Sequence, residues 1–306
     1  MKDKFKYDHL EIARIIGEPV DPRKPYPDIV NAICDIDSAS PDEYTYYFDV
    51  LSETDTIYTT VASGVTQTNV SPDTPALLTF VDLASPEYYV KITDLASAKE
   101  KTLARKTKTI NRALNAYETY KVIDLMNSAA VTEGNVEALT SGATHFTYEN
   151  LVDMMDNIID YGSSYSLVAG TLIDKDIKLW NWKDNKYQSL STAFKDLGVD
   201  VTRINQTVTI DSVSTSALAS TNAFLVAKDN ENGKPLLFVR KELNDIDFLG
   251  GTITSVGDRP QRLVFVSPNP VTVTGSARYL AIGITGYEQI AAAVTNVKGI
   301  WKFERE

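Results

Sequence analysis

The sequence predicts an α+β chain, and three observations carry that prediction. Before residue 92, apolar and polar residues alternate at period two in a stretch rich in Thr, Tyr and Val. From Asp94 the period becomes helical, and no Gly or Pro interrupts it before Gly134. After Thr147 short helical and β patterns mix, and the chain closes on β runs. At 306 residues and 43% apolar composition, a sizeable core is within reach.

The elements follow in order. Phe5, Leu10, Ile12, Ile15 and Ile16 place a short amphipathic helix in residues 1 to 16. This start has no apolar core stretch, so it does not read as a signal peptide. Pro19, Pro22, Pro25 and Pro27 then fix their own φ and bias each preceding residue toward extended geometry. Residues 1–40 read as an N-terminal arm, with a frayed terminus as the other reading. Next, Tyr44, Tyr46, Phe48 and Val50 share one strand face, with Thr45, Tyr47 and Asp49 on the other. Ile57 to Val61, Leu77 to Val81 and Tyr88 to Ile92 continue the β chemistry. Turns fall at Ser63-Gly64, Asn69 and Ser71-Pro72-Asp73. So few large aliphatics bury little by themselves, so residues 41–91 form an extended β loop that packs on something else.

Asp94 is placed to cap a long helix. Leu103, Thr107, Ile110, Leu114, Tyr117, Lys121 and Leu125 mark its apolar-leaning stripe. A helix from Asp94 to Ser128 spans ~50 Å at ~1.5 Å per residue, which makes it a strut through more than one packing layer. A coiled coil is the alternative, with a seam thin in Leu and Ile. Thr147 caps a second, largely apolar helix through Leu151, Met154, Met155 and Ile158. A buried strand at Ser166 to Ala169, a short helix around Ile177 and a helix near Leu190 to Leu197, stopped by Gly198, follow. Phe224 to Ala227 and Leu236 to Val239 flank KDNENGKP, which reads as a hairpin built on Asn232-Gly233. β runs at Gln261 to Val266, Tyr279 to Ile284 and Gly299 to Phe303 close the chain, with an Ala-rich helix at Tyr287 to Val294.

Charge is unevenly placed. Between Lys24 and Lys91 there is no lysine or arginine, and the gap holds eleven acids, equal to the whole net charge of −11. They include Asp42, Glu43, Asp49, Glu53 and Asp55, an acidic docking loop. Immediately after come Lys99, Lys101, Arg105, Lys106, Lys108 and Arg112 against Glu100 alone. Opposite potentials on two surfaces fix register between copies of one chain. Three readings of the basic run stand open: a solvated helix face, a dock for the acidic loop of an adjacent copy, and a surface facing nucleic acid. The acidic balance itself argues against a dedicated duplex-DNA binder.

Several chemistries are disfavoured. Cys34 is alone, so no intrachain disulfide forms, and His9 and His145 are too few for a histidine-rich metal site. No apolar run approaches the ~20 residues of a spanning helix. Asp174/Asp176 and Asp245/Asp247 are paired carboxylates with no third ligand nearby, and they read as solvated turns. Gly162-Ser163-Ser164 lacks the glycines of a nucleophile elbow, and the GITG of Gly283 to Gly286 lacks the phosphate-loop spacing and lysine. Trp180 and Trp182 form either a stacking platform or core packing. The expectation is an assembly protein without catalytic residues, cofactor or metal, the other class being a β-rich binding module.

The order of arm, acidic β loop, spine helix, mixed region and closing strands resembles the major capsid protein of tailed bacteriophages, a fold shared with encapsulin shells. SLVAGTLIDKDIKLWNW (Ser166 to Trp182) looks like the start of a capsomer-centre domain, and Gln261 to Glu304 looks like the closing segment of such coat proteins. The resemblance implies the tailed-phage capsid fold, with residues 92–145 and 249–306 as a peripheral domain and 146–248 as an axial domain. It also implies a self-assembling icosahedral head around a double-stranded DNA genome, built in a bacterial cytoplasm from hexamers and pentamers. Separate scaffolding and portal proteins would be partners, contact with packaged DNA non-specific, and no membrane involved. An encapsulin-like compartment is the alternative. Some relatives crosslink through a lysine in the extended loop, and this loop has none before Lys91.

Overall fold

The computed structural model describes residues 29–50, 74–138, 145–180, 194–210, 213–228, 233–243, 246–248, 251–256, 259–267, 271–273 and 279–305. The expected helix of residues 1 to 16, the proline arm, Ile57 to Val61 and Asn232 lie outside them.

The largest element is the helix Ile92–Glu133, 42 residues long, or ~63 Å at ~1.5 Å per residue. It starts two residues before Asp94. Lys91 is the N-cap and contributes no side-chain bond, while Asp94 sits in the first turn facing the positive end of the dipole. Gly134 ends the helix in the left-handed region at φ 76°, and its N–H returns to the carbonyls of Ala130 and Val131. Two larger sheets, and the strand Thr207–Ile210 of a separate two-stranded sheet, pack around this helix.

Among the described residues the larger sheet has nine strands. Its hub is Tyr279–Val294, a 16-residue strand that pairs with Leu236–Lys241, Arg259–Val266, Val271–Val273, Val81–Ala84 and Tyr88–Lys91. The expected Ala-rich helix at Tyr287 to Val294 is therefore the second half of this strand. Register sets Ala291 beside Val239, and those two join Ala39 in a small core. Tertiary packing overrides the helix propensity of alanine there. Gly286 meets the helix so closely that an added Cβ would lie 2.2 Å from Ile110 Cγ2.

The smaller sheet runs Val136–Ala138, Ile300–Glu304, Asn222–Ala227, Tyr165–Ala169, Val199–Arg203. Helix Thr171–Leu179 lies in the connection between the parallel strands Tyr165–Ala169 and Val199–Arg203. Both faces of the sheet are covered. Leu167, Ala169, Ala223 and Leu225 pack with the helices Tyr148–Asn157 and Thr171–Leu179. Their alternates Val168, Phe224, Val226 and Ile300 join the core of the long helix. Thr147 caps Tyr148–Asn157 with a full capping box to Asn150.

Two further expectations change. The strands flanking KDNENGKP do not form a hairpin: Asn222–Ala227 belongs to the smaller sheet and Leu236–Lys241 to the larger. The turn at Gly233 (φ 89°) instead carries the chain between sheets, held where Asp35 accepts the N–H of Lys234 at 2.7 Å. Residues 29–40, assigned to the arm, also enter the body. Ile29–Ile33 is a short helix with Ile29, Val30 and Ile33 buried, and Asp35–Ala39 pairs parallel with Leu236–Lys241.

Candidate assembly interface

Strands Thr45–Val50 and Thr74–Thr79 pair antiparallel in a two-stranded sheet of their own. One face of this hairpin meets the body: the cross-strand pair Tyr46 and Leu78 packs, with Phe80 and Leu237, on Ala39, Val239 and Ala291. The other face carries the pair Tyr47 and Leu77, which remain 70% and 54% exposed. The hairpin thus has one covered face and one solvent face.

The root of the hairpin is clamped. Lys241 is 6% exposed, and its Nζ lies 5.0 Å from the ring centre of Tyr44 and 5.7 Å from that of Phe80. Tyr44 precedes the first strand and Phe80 follows the second, so one ammonium holds both legs by cation–π attraction. Beside it, Tyr46 donates its hydroxyl hydrogen to Asp37. That bond, with burial and the charges of Asp37 and Glu43, pushes the phenol up to about 12.

The acids of the lysine-free stretch divide. Asp37 holds Tyr46, Asp82 accepts from Tyr287 (2.8 Å) and from Gln289, and Glu87 accepts from Tyr89 at 2.6 Å. Of the docking-loop residues, Glu43 closes its own turn by accepting the N–H of Ser40 at 3.0 Å, and Asp42 is exposed. The side chain of Asp49, and Glu53 and Asp55 entirely, lie outside the described residues.

On the long helix, Lys101, Arg105, Lys108 and Arg112 are all exposed. Their spacings of four, three and four place them within about 60° of one another on one face at ~100° per residue. Lys106 points elsewhere, its Nζ 5.7 Å from the Tyr88 ring centre. The side chain of Lys99 lies outside the described residues. Opposite the cationic face, Leu103, Thr107, Ile110 and Leu114 are buried.

Sequence reasoning missed a buried charge network at the middle of this helix. Glu118 accepts from Arg240 through Nε (2.9 Å) and Nη2 (3.1 Å), a bidentate pair. Arg262 Nη2 lies 3.2 Å from Glu118, and Arg262 Nε donates to Glu288. Burial raises the carboxyl of Glu288 above the usual range, against the pull of Arg262. The available signal was charge inside apolar β runs, as in QRLVFV around Arg262.

Asp174 and Asp176, read as a solvated turn, are not one. Asp174 and Asp176 sit buried on helix Thr171–Leu179. Asp174 pairs with Lys178 (2.7 Å) and Arg203 (3.3 Å). Asp176 accepts from Arg305 (2.7 Å) and the Phe146 N–H (3.0 Å), with His145 Nδ1 3.2 Å away. These pairs tie the end of the chain to the helical layer. Trp180 belongs to the core, donating to the Phe146 carbonyl at 2.7 Å and stacking near Phe146 and Phe194. Asp245, Trp182 and the side chain of Asp247 lie outside the described residues. Among the described residues, no group of three or more His, Cys, Asp or Glu could hold a metal ion, and no helix is long and apolar enough to cross a membrane.

No protein-family model matches the chain, and no curated protein matches it. Solved structures do. The capsid structure of the cyanophage P-SCSP1u aligns at TM-score 0.55 and 11% identity over 94% of this chain and 91% of that one. A structure from Mycobacterium phage Adephagia aligns at TM-score 0.55 and 14% identity over 99% of both chains. A virus-like particle from Pyrococcus furiosus aligns at TM-score 0.51 and 10% identity over 91% of this chain and 93% of that one. The mixed α and β fold of this chain is thus the phage capsid fold, shared with virus-like particle shells.

Proposed function

We propose that the chain is a shell subunit, a major capsid protein that assembles with copies of itself into the icosahedral head around a double-stranded DNA genome. The observation that carries this reading is the likeness to the cyanophage capsid over more than nine tenths of both chains. The hairpin supports it: a clamped root with an exposed Tyr47 and Leu77 face suits a loop that rests on the next subunit. In this reading residues 1–40 begin as an arm and 41–91 as the extended loop, 92–145 and 249–306 make the peripheral domain and 146–248 the axial domain, except that Asp35–Ala39, Val81–Ala84, Tyr88–Lys91 and Leu236–Lys241 join the larger sheet and Ile300–Glu304 the smaller. Contacts of this head-to-tail kind repeat around local axes until the shell closes. The subunit is structural and carries out no catalysis, assembling in the host cytoplasm with separate scaffolding and portal proteins.

Electron microscopy of the purified chain tests this directly. Closed particles are expected, and a Tyr47→Ser/Leu77→Ser double variant should fold but assemble poorly. A chain that stays monomeric when concentrated overturns the reading. The likeness to the virus-like particle favours a second reading, an encapsulin-like compartment. Particles enclosing protein cargo would select it, and particles enclosing DNA would select the phage head.

A further inference from the structure

Resting on the shell reading, we propose that the exposed face of Lys101, Arg105, Lys108 and Arg112 binds the phosphate backbone of nucleic acid, without sequence preference. The four cations stand on one straight helix face over ~16 Å of axis, and Asp94 is the one acid among the described side chains on the same line. The face opposite them is buried against the chain's own sheet at Gly286, so the cations point outward from a fixed support. The chain as a whole is negative, at −11. Its general surface therefore repels a polyanion, and attraction is confined to a local stripe of this kind. Arg and Lys side chains aimed at phosphates position a duplex and carry no base information.

The alternative occupant is the acidic loop of a second copy. Among the described side chains of the lysine-free stretch, Asp35, Asp37, Glu43, Asp82 and Glu87 already hold partners within their own chain. Among the described side chains of that stretch this leaves Asp42 alone to match a regular row of cations, whereas phosphates recur at regular intervals along a strand.

Binding of short duplex DNA of two unrelated sequences, followed by fluorescence anisotropy across a salt series, tests the proposal. The full-length chain should bind both duplexes alike, with log K falling against log salt at a slope of about −3 to −4 for four neutralised phosphates. Between about 50 and 200 mM salt that slope amounts to a loss of roughly a hundredfold. The variant Lys101→Gln/Arg105→Gln/Lys108→Gln should keep its thermal unfolding and retain a slope of about −1. Replacing two exposed cations on other elements, Lys175→Gln/Lys195→Gln, should leave the slope unchanged. Equal affinity and slope in the triple variant overturn the proposal. So does a triple variant that loses particle formation when the parent chain binds no DNA, which would assign the face to a second copy. Particle counting on the same samples separates the two readings. Particles without salt-linked DNA binding remove the stripe and leave the shell, and binding by a chain that never assembles does the reverse.

Discussion

The two halves of the long helix bury opposite sides. In the first half Leu103, Thr107, Ile110 and Leu114 are buried, and Lys101, Arg105, Lys108 and Arg112 are exposed. In the second half Thr119, Val122, Ile123, Met126 and Ala130 are buried, and Asp124 and Ser128 are exposed. Between Leu114 and Thr119 the buried direction turns by ~140° at ~100° per residue. The first half packs on the larger sheet, where a Cβ added at Gly286 would meet Ile110 and Leu114. The second half faces the smaller sheet, its Tyr120 and Ile123 lining a cleft with Leu218 and Phe224. Glu118 marks the crossover and is 1% exposed. A helix shared by two layers carries two short stripes in place of one long one, and its average amphipathicity is weak for that reason.

The comparison can be broken at the crossover first. Glu118→Ala removes the carboxylate shared by two buried arginines and should cost ~3–5 kcal/mol in chemical denaturation; a loss under ~1 kcal/mol would mean the network does not hold the crossing. Next, Leu103→Ala and Met126→Ala should each cost ~2–5 kcal/mol although they lie on opposite faces. Leu125→Ala, on the single stripe read from the sequence but only half-buried, should cost clearly less. If Leu125 proved the equal of Met126, the rotation would be wrong.

Lys241→Met acts away from the helix and sharpens its contrast with the hairpin. It keeps the apolar stem and removes the cation, so local protection should drop by ~1 kcal/mol. Hydrogen exchange should speed up at 45–50 and 74–79 while the helix amides stay unchanged. The smallest effect is on titration. Tyr46 binds its proton more tightly folded than unfolded, so its contribution is full below pH 10 and fades as pH rises through about 12. Absorbance titration of Asp37→Ala should show one late phenol moving back toward 10, and a curve superimposable on the parent's would show the bond is not made.

What could be read from the sequence was what neighbours in sequence decide. The Gly- and Pro-free helix, the Thr147 cap, the strand at Ser166 to Ala169 and the cationic row at 101, 105, 108 and 112 rest on local spacing. The misreadings all needed distant partners. Val239 and Ala39 make a strand of the alanines at 291–293, and two separate sheets pull apart the strands around KDNENGKP. Arg203 and Arg305 turn Asp174 and Asp176 from surface acids into buried anchors. The stripe through Tyr117, Lys121 and Leu125 is only half-buried, because the second sheet approaches from the other side.

The grip of Lys241 on Tyr44 and Phe80 makes the hairpin a mounted accessory: its bracket is complete before the first strand begins and after the second one ends. The bearing of strands Thr45–Val50 and Thr74–Thr79 is therefore set at their base, where a single ammonium meets both legs.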